Sequence, residues 1–128
     1  MKIAVVIARI LLGLVFLVFG LNFYFHFIPQ QTLPGDAGAL GALLFQHGWF
    51  LFFGVLYVVA GLLLLVGRFV PLALVLLGPI IVNILLFHIT LAPAGIGPGL
   101  VCAVLEIFLI YAYWPAFAGI VRSHAERY

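Results

Sequence analysis

Residues 99–112 read Gly99-Leu-Val-Cys-Ala-Val-Leu-Glu-Ile-Phe-Leu-Ile-Tyr-Ala112, an apolar run with one carboxylic acid, Glu106, at its middle. A carboxyl group inside hydrocarbon is expensive unless it faces a cavity or a partner, so Glu106 marks a functional or strongly structural site. Working outward, only one basic residue lies well inside another apolar segment, Arg9 in the first. These two groups pose the chain's main question.

The 128 residues are 68% hydrophobic and 6% charged, where a soluble domain carries roughly 25% charged residues. So few charges cannot cover a water-exposed surface. The chain therefore reads as an all-α integral membrane protein, a single domain over residues 1–128. Apolar segments lie at about residues 3–25, 49–66, 70–91 and 98–120, each with the roughly 17–25 residues that cross a hydrocarbon core as a helix. They predict a four-helix transmembrane bundle. The first segment is too long for a signal peptide, carries Arg9 and lacks a small-x-small cleavage site, so it reads as a retained helix. Five basic and three acidic residues are too few for a nucleic-acid footprint. The single cysteine, Cys102, excludes an internal disulfide or a CxxC redox pair.

Lys2, Arg9, Arg68, Arg122 and Arg127 all fall at ends that four spans place on one side, whereas the other side carries only Asp36. The positive-inside rule then puts both termini in the cytoplasm of a multi-pass protein of the inner (plasma) membrane. Trp49 and Trp114 suit the two aromatic belts. Gly67–Arg68 predicts a tight turn between antiparallel neighbours, with Pro71 in the first turn of the next helix. In the outer loop, Asp36 reads as the N-cap of a short interfacial helix from Ala37 to about His47, ended by Gly48. It should lie on the membrane surface or lid the bundle. Beyond Trp114–Pro115 the chain becomes a polar tail running to Tyr128.

At ~1.5 Å per residue, Tyr57, Asn83 and Glu106 fall in one layer of the membrane, with Arg9 able to extend toward it or snorkel outward. Helical spacing groups Arg9, Gly13, Phe16 and Gly20 on one stripe, Gly54, Tyr57 and Gly61 on another, and Gly99, Cys102, Glu106 and Tyr113 on a third. Gly78–Pro79 should bend the third span and leave the Val75 carbonyl available to Asn83, a neighbouring helix or a ligand. Nearer the outer face stand Asn22, His26 and His88. Two histidines from different helices suit haem iron or a metal, but no third ligand with suitable spacing accompanies them, so no metal site is assigned. Hydrogen bonding at the interface, or contact with a quinone headgroup, fits them better.

The run Ala8-Arg-Ile-Leu-Leu-Gly-Leu-Val-Phe-Leu-Val-Phe-Gly-Leu-Asn22 resembles the opening helix of the DoxX and DoxX-like family of small four-helix membrane proteins. Residues 54–93 do so too, especially Ala60-Gly-Leu-Leu-Leu-Leu-Val-Gly-Arg-Phe-Val-Pro71 and Pro79-Ile-Ile-Val-Asn-Ile-Leu-Leu-Phe-His88. The resemblance implies a four-helix bundle and association with redox systems. One branch supplies a membrane subunit to a thiosulfate:quinone oxidoreductase, and another is linked to amine-dehydrogenase maturation. Related eukaryotic proteins act as cargo receptors or receptor-assembly chaperones. This chain departs from the family pattern at Tyr57, where many members carry Glu or Gln, and at Asn22, where Lys or Gln is frequent.

Two functional classes follow. The first is a membrane subunit or quinone-type ligand binder, its partners the bilayer and other membrane redox subunits or further copies of itself. Its ligand would contact Arg9, Tyr57, Asn83, Glu106 and Tyr113, with Asn22, His26 and His88 nearer the outer face. The second is a non-catalytic assembly or scaffold protein, with small-solute transport a weaker third. Whether the chain is itself an enzyme stays open in its sequence.

Overall fold

Apolar segments with few breakers satisfy their backbone groups internally by forming helices, and here they form little else. The structure, a computed structural model, describes residues 1–29 and 33–127 and contains no strand among them. Its elements are α1 (Lys2–Phe25), α2 (Gly35–Gln46), α3 (Trp49–Val66), α4 (Val70–Leu91), a 3-10 turn (Pro93–Gly95), α5 (Gly97–Ala112) and a single-turn α6 (Trp114–Phe117). Helices α1, α3 and α4 are long and apolar enough to cross a membrane. Part of the expected outer loop, residues 30–32, and the end of the expected tail, Tyr128, lie outside the described residues.

The punctuation follows from turn chemistry. Gly67 ends α3 at φ 74°, a left-handed conformation that costs glycine nothing. Its amide and that of Arg68 both donate to the Leu63 carbonyl, and Pro71 sits in the first turn of α4. Helix α1 ends at His26, φ 52°, and the Asn22 side chain secures that end by accepting from the Ile28 amide at 2.7 Å.

Two expectations change. The N-cap of α2 is Pro34, with Asp36 inside the first turn, where its charge still complements the helix N-terminus. The last segment is not one helix to Ile120, since α5 stops at Ala112 and α6 begins at Trp114. Pro115 brings no amide hydrogen, and its ring crowds the carbonyl of Tyr111 four residues earlier.

Helix α1 packs against α3 and α5, and α4 against the same two, so these four close a ring; α2 lies over α3 and α4. The ring's core holds Leu12, Phe16, Leu64, Leu74, Leu77 and Leu109. In lipid, packing rather than exclusion of water holds helices together, and small residues let backbones meet. The α1–α3 seam uses this: a Cβ added to Gly61 would come within 2.7 Å of the Leu17 nitrogen and 2.8 Å of the Gly13 oxygen. Higher on the seam, Gly20 sits against the Cβ of Tyr57.

Candidate functional site

A cavity of about 640 Å³ opens where α2 crosses α3 and α4. Its walls are mainly aromatic and aliphatic, because α3 presents Trp49, Phe53 and Tyr57 at successive turns of one face. Phe50 and Phe87 add further rings, and Leu40, Gly41 and Leu44 of α2 form the cover. The rings brace one another: Trp49 meets Phe53 edge-on at 6.0 Å, and Phe23 meets Tyr57 at 5.2 Å. A smaller cavity of about 300 Å³ beside it shares Phe23 and Phe50 and is bordered by Asn22 and His26.

Polar groups enter the larger cavity from α3 and α4. Asn83 donates one amide hydrogen to the Pro79 carbonyl at 2.9 Å, which leaves its carbonyl oxygen and second hydrogen for a guest. The Nδ1 of His88 lies 2.8 Å from the Ile84 carbonyl; a proton on Nδ1 makes that contact a hydrogen bond and leaves Nε2 as an acceptor. Tyr57 of α3 lines the same cavity. Thr90 donates to the Leu86 carbonyl at 2.7 Å.

Of the eight residues the sequence singled out, Tyr57, Asn83 and His88 meet at this cavity, whereas Asn22 and His26 border the smaller one. Glu106, Arg9 and Tyr113 line neither cavity. Asn83 is exposed on the flank of α4, away from the buried face of Ala73, Leu74, Leu77 and Ile81. Its amide bonds Pro79 rather than Val75. Arg9 donates to the carbonyls of Leu64 at 2.6 Å and Leu65 at 3.2 Å, at the opposite end of α3 from the cavity. Tyr113, half-buried, ends α5.

Glu106 does face inward, as its stripe with Gly99 and Cys102 requires, and is 4% exposed. Neither carboxyl oxygen has a hydrogen-bond partner among the described residues. It stands apart from the cavity under α2. Reading the sequence by polar residues alone passed over that cavity's walls, although Trp49, Phe53 and Tyr57, spaced by four, were a visible aromatic stripe.

Compared with known protein families, with curated proteins and with solved structures, the chain matches none.

Proposed function

We propose that this chain is a DoxX-like membrane protein in which α5 is a fourth span, both termini face the cytoplasm, and the cavity beneath α2 holds a quinone-type ligand on behalf of a membrane redox system. The observation that carries this reading is the cavity itself: about 640 Å³ of mainly apolar wall, to which Asn83 offers a donor and His88 an acceptor. Concave apolar sites with a few oriented polar groups are the usual form of small-ligand sites. A quinone ring stacks on Phe and Trp faces and accepts from the Asn83 amide, while its reduced form donates a hydroxyl to His88 Nε2. An isoprenoid tail leaves between α3 and α4 toward lipid. The electron carrier is the ligand; the protein supplies position and hydrogen bonds.

The ring of α1, α3, α4 and α5 supports a four-span bundle. Helix α5 alone, with 16 residues, rises ~24 Å, and α6 carries the chain on toward the headgroups. The one-sided placement of basic residues supports the orientation.

Trp49 provides the test, because it lines the cavity and only one other tryptophan, Trp114, exists. In a Trp114→Phe background in lipid nanodiscs, a short-chain benzoquinone should quench Trp49 saturably, and Asn83→Leu with His88→Phe should weaken that binding. Quenching that rises linearly with quinone and ignores these substitutions would refute the ligand reading. A purified protein carrying no quinone but holding a stoichiometric protein partner would favour the assembly role.

A further inference from the structure

Helix α2 roofs both cavities. Leu40, Gly41 and Leu44 line the larger one, and Phe45 lines the smaller. These four positions fall on one face of a helix, so a single displacement of α2 uncovers both spaces. Phe23 of α1 and Phe50 of α3, stacked at 5.2 Å, line both cavities from beneath and stay behind when the roof moves.

Little holds that roof down. Ala37 is the only buried residue of α2. None of the side-chain hydrogen bonds among the described residues involves this helix. Its opposite side, Ala39, Ala42, Leu43 and Gln46, is exposed and uncharged. A helix with apolar residues on both sides loses little by leaving the bundle for the headgroup–acyl boundary of a bilayer, where lipid replaces the protein contacts. Opening gives up the seat of Ala37 and the edge-on contact of Phe45 with His26 at 6.2 Å. The corner between α2 and α3 is Gly48, at φ 77°, where an added Cβ meets nothing within 4 Å. Its torsions are therefore free of packing, as a hinge requires. At the other end Leu33 folds so closely onto Gly38 that a Cβ there would overlap the Leu33 oxygen, so this leading turn travels with α2.

We propose that α2 is a lid that swings about Gly48, exchanging the bundle for the membrane interface and opening both cavities to guests that arrive there. Closed, it holds a guest between Leu40 and Leu44 above and Phe53 and Ile84 beneath. Open, it lays the same apolar face into lipid. That the lid serves a quinone rests on the reading of the larger cavity given above; its motion does not.

Pulsed electron spin resonance on the full chain in nanodiscs, with no quinone added, tests the motion. Because Cys102 is the only cysteine, a Cys102→Ala background takes spin labels cleanly at Leu43→Cys on α2 and Ile89→Cys on α4, both exposed. Two separations are expected, a shorter one for the closed lid and a longer one for the open lid. Gly48→Ala should raise the ratio of longer to shorter roughly 5–30-fold, because the left-handed conformation of the closed corner is costly for a residue with a Cβ. Gly48→Asn, whose side chain tolerates that conformation, should keep the parent ratio. A single separation in the parent, a ratio that Gly48→Ala leaves unchanged, or an equal change in Gly48→Asn would overturn the lid. Adding a short-chain benzoquinone then separates lid from ligand. A shift toward the shorter separation supports both, whereas two separations that ignore quinone keep the lid and remove its proposed guest.

Discussion

Arg9 Nη1 lies 2.6 Å from the carbonyl oxygen of Leu64, 55 residues away in sequence. The contact ties the first helix to the C-terminal end of the third. Because Arg68 donates its amide to Leu63, the carbonyls of Leu64 and Leu65 are among the acceptors that a helix end leaves without intrahelical partners. Arg9 supplies both donors, and its charge complements the negative end of the helix.

Replacing Arg9 with Leu should destabilise the protein by about 1–3 kcal/mol, the cost of leaving partly buried acceptors unsatisfied. Arg9→Lys, which keeps a charge and one donor direction, should recover part of the loss. Thermal unfolding in detergent reads both effects. Quinone quenching of Trp49 should not change, since Arg9 and the cavity lie at opposite ends of α3. A selective loss of quenching with full stability would return Arg9 to the ligand site.

The α1–α3 seam offers a second test. A methyl group on Gly61 meets backbone atoms of Leu17 and Gly13 at 2.7 and 2.8 Å, and backbone cannot swing aside. Gly61→Ala should therefore cost about 1–3 kcal/mol through overpacking. Gly41 on α2 has nothing within 4 Å of an added Cβ, so Gly41→Ala should be neutral or mildly stabilising by helix propensity, up to about 1 kcal/mol. Unfolding midpoints of the two variants, measured side by side, should move in opposite directions or differ clearly in size.

Gly41 also lines the cavity, which makes it a means of blocking it. Gly41→Trp should fold normally, fill the space beneath α2 and abolish saturable binding of a short-chain quinone. Equilibrium binding measured by Trp49 quenching would be confounded by the new indole, so retention of radiolabelled quinone on the purified protein is the appropriate readout. Undiminished retention would move the ligand elsewhere.

Topology reporters should place a fusion after Tyr128 and an insertion after Arg68 on the cytoplasmic side, and an insertion between Pro34 and Gly35 on the opposite side. A C-terminal reporter on the same side as the Pro34 insertion would mean that α5 does not cross.

Features that depend on neighbours along the chain are legible in the residues alone. Apolar length set α1, α3 and α4, and Gly67 and Pro71 set the turn between the last two. The spacing of Gly99, Cys102 and Glu106 put the carboxyl inside. Which groups share a site follows instead from how the helices pack. Depth along a helix places Tyr57, Asn83 and Glu106 at one level, but a level is not a location. Rotation of α4 about its axis, decided by packing Leu74, Leu77 and Ile81 against its neighbours, turns Asn83 outward under α2 and leaves Gly78 facing Glu106. Arg9 likewise has a stem long enough to reach several acceptors, and the nearby end of α3 claimed it. Periodicity fixes which residues share a face; which face meets which neighbour is a property of all the helices packed together.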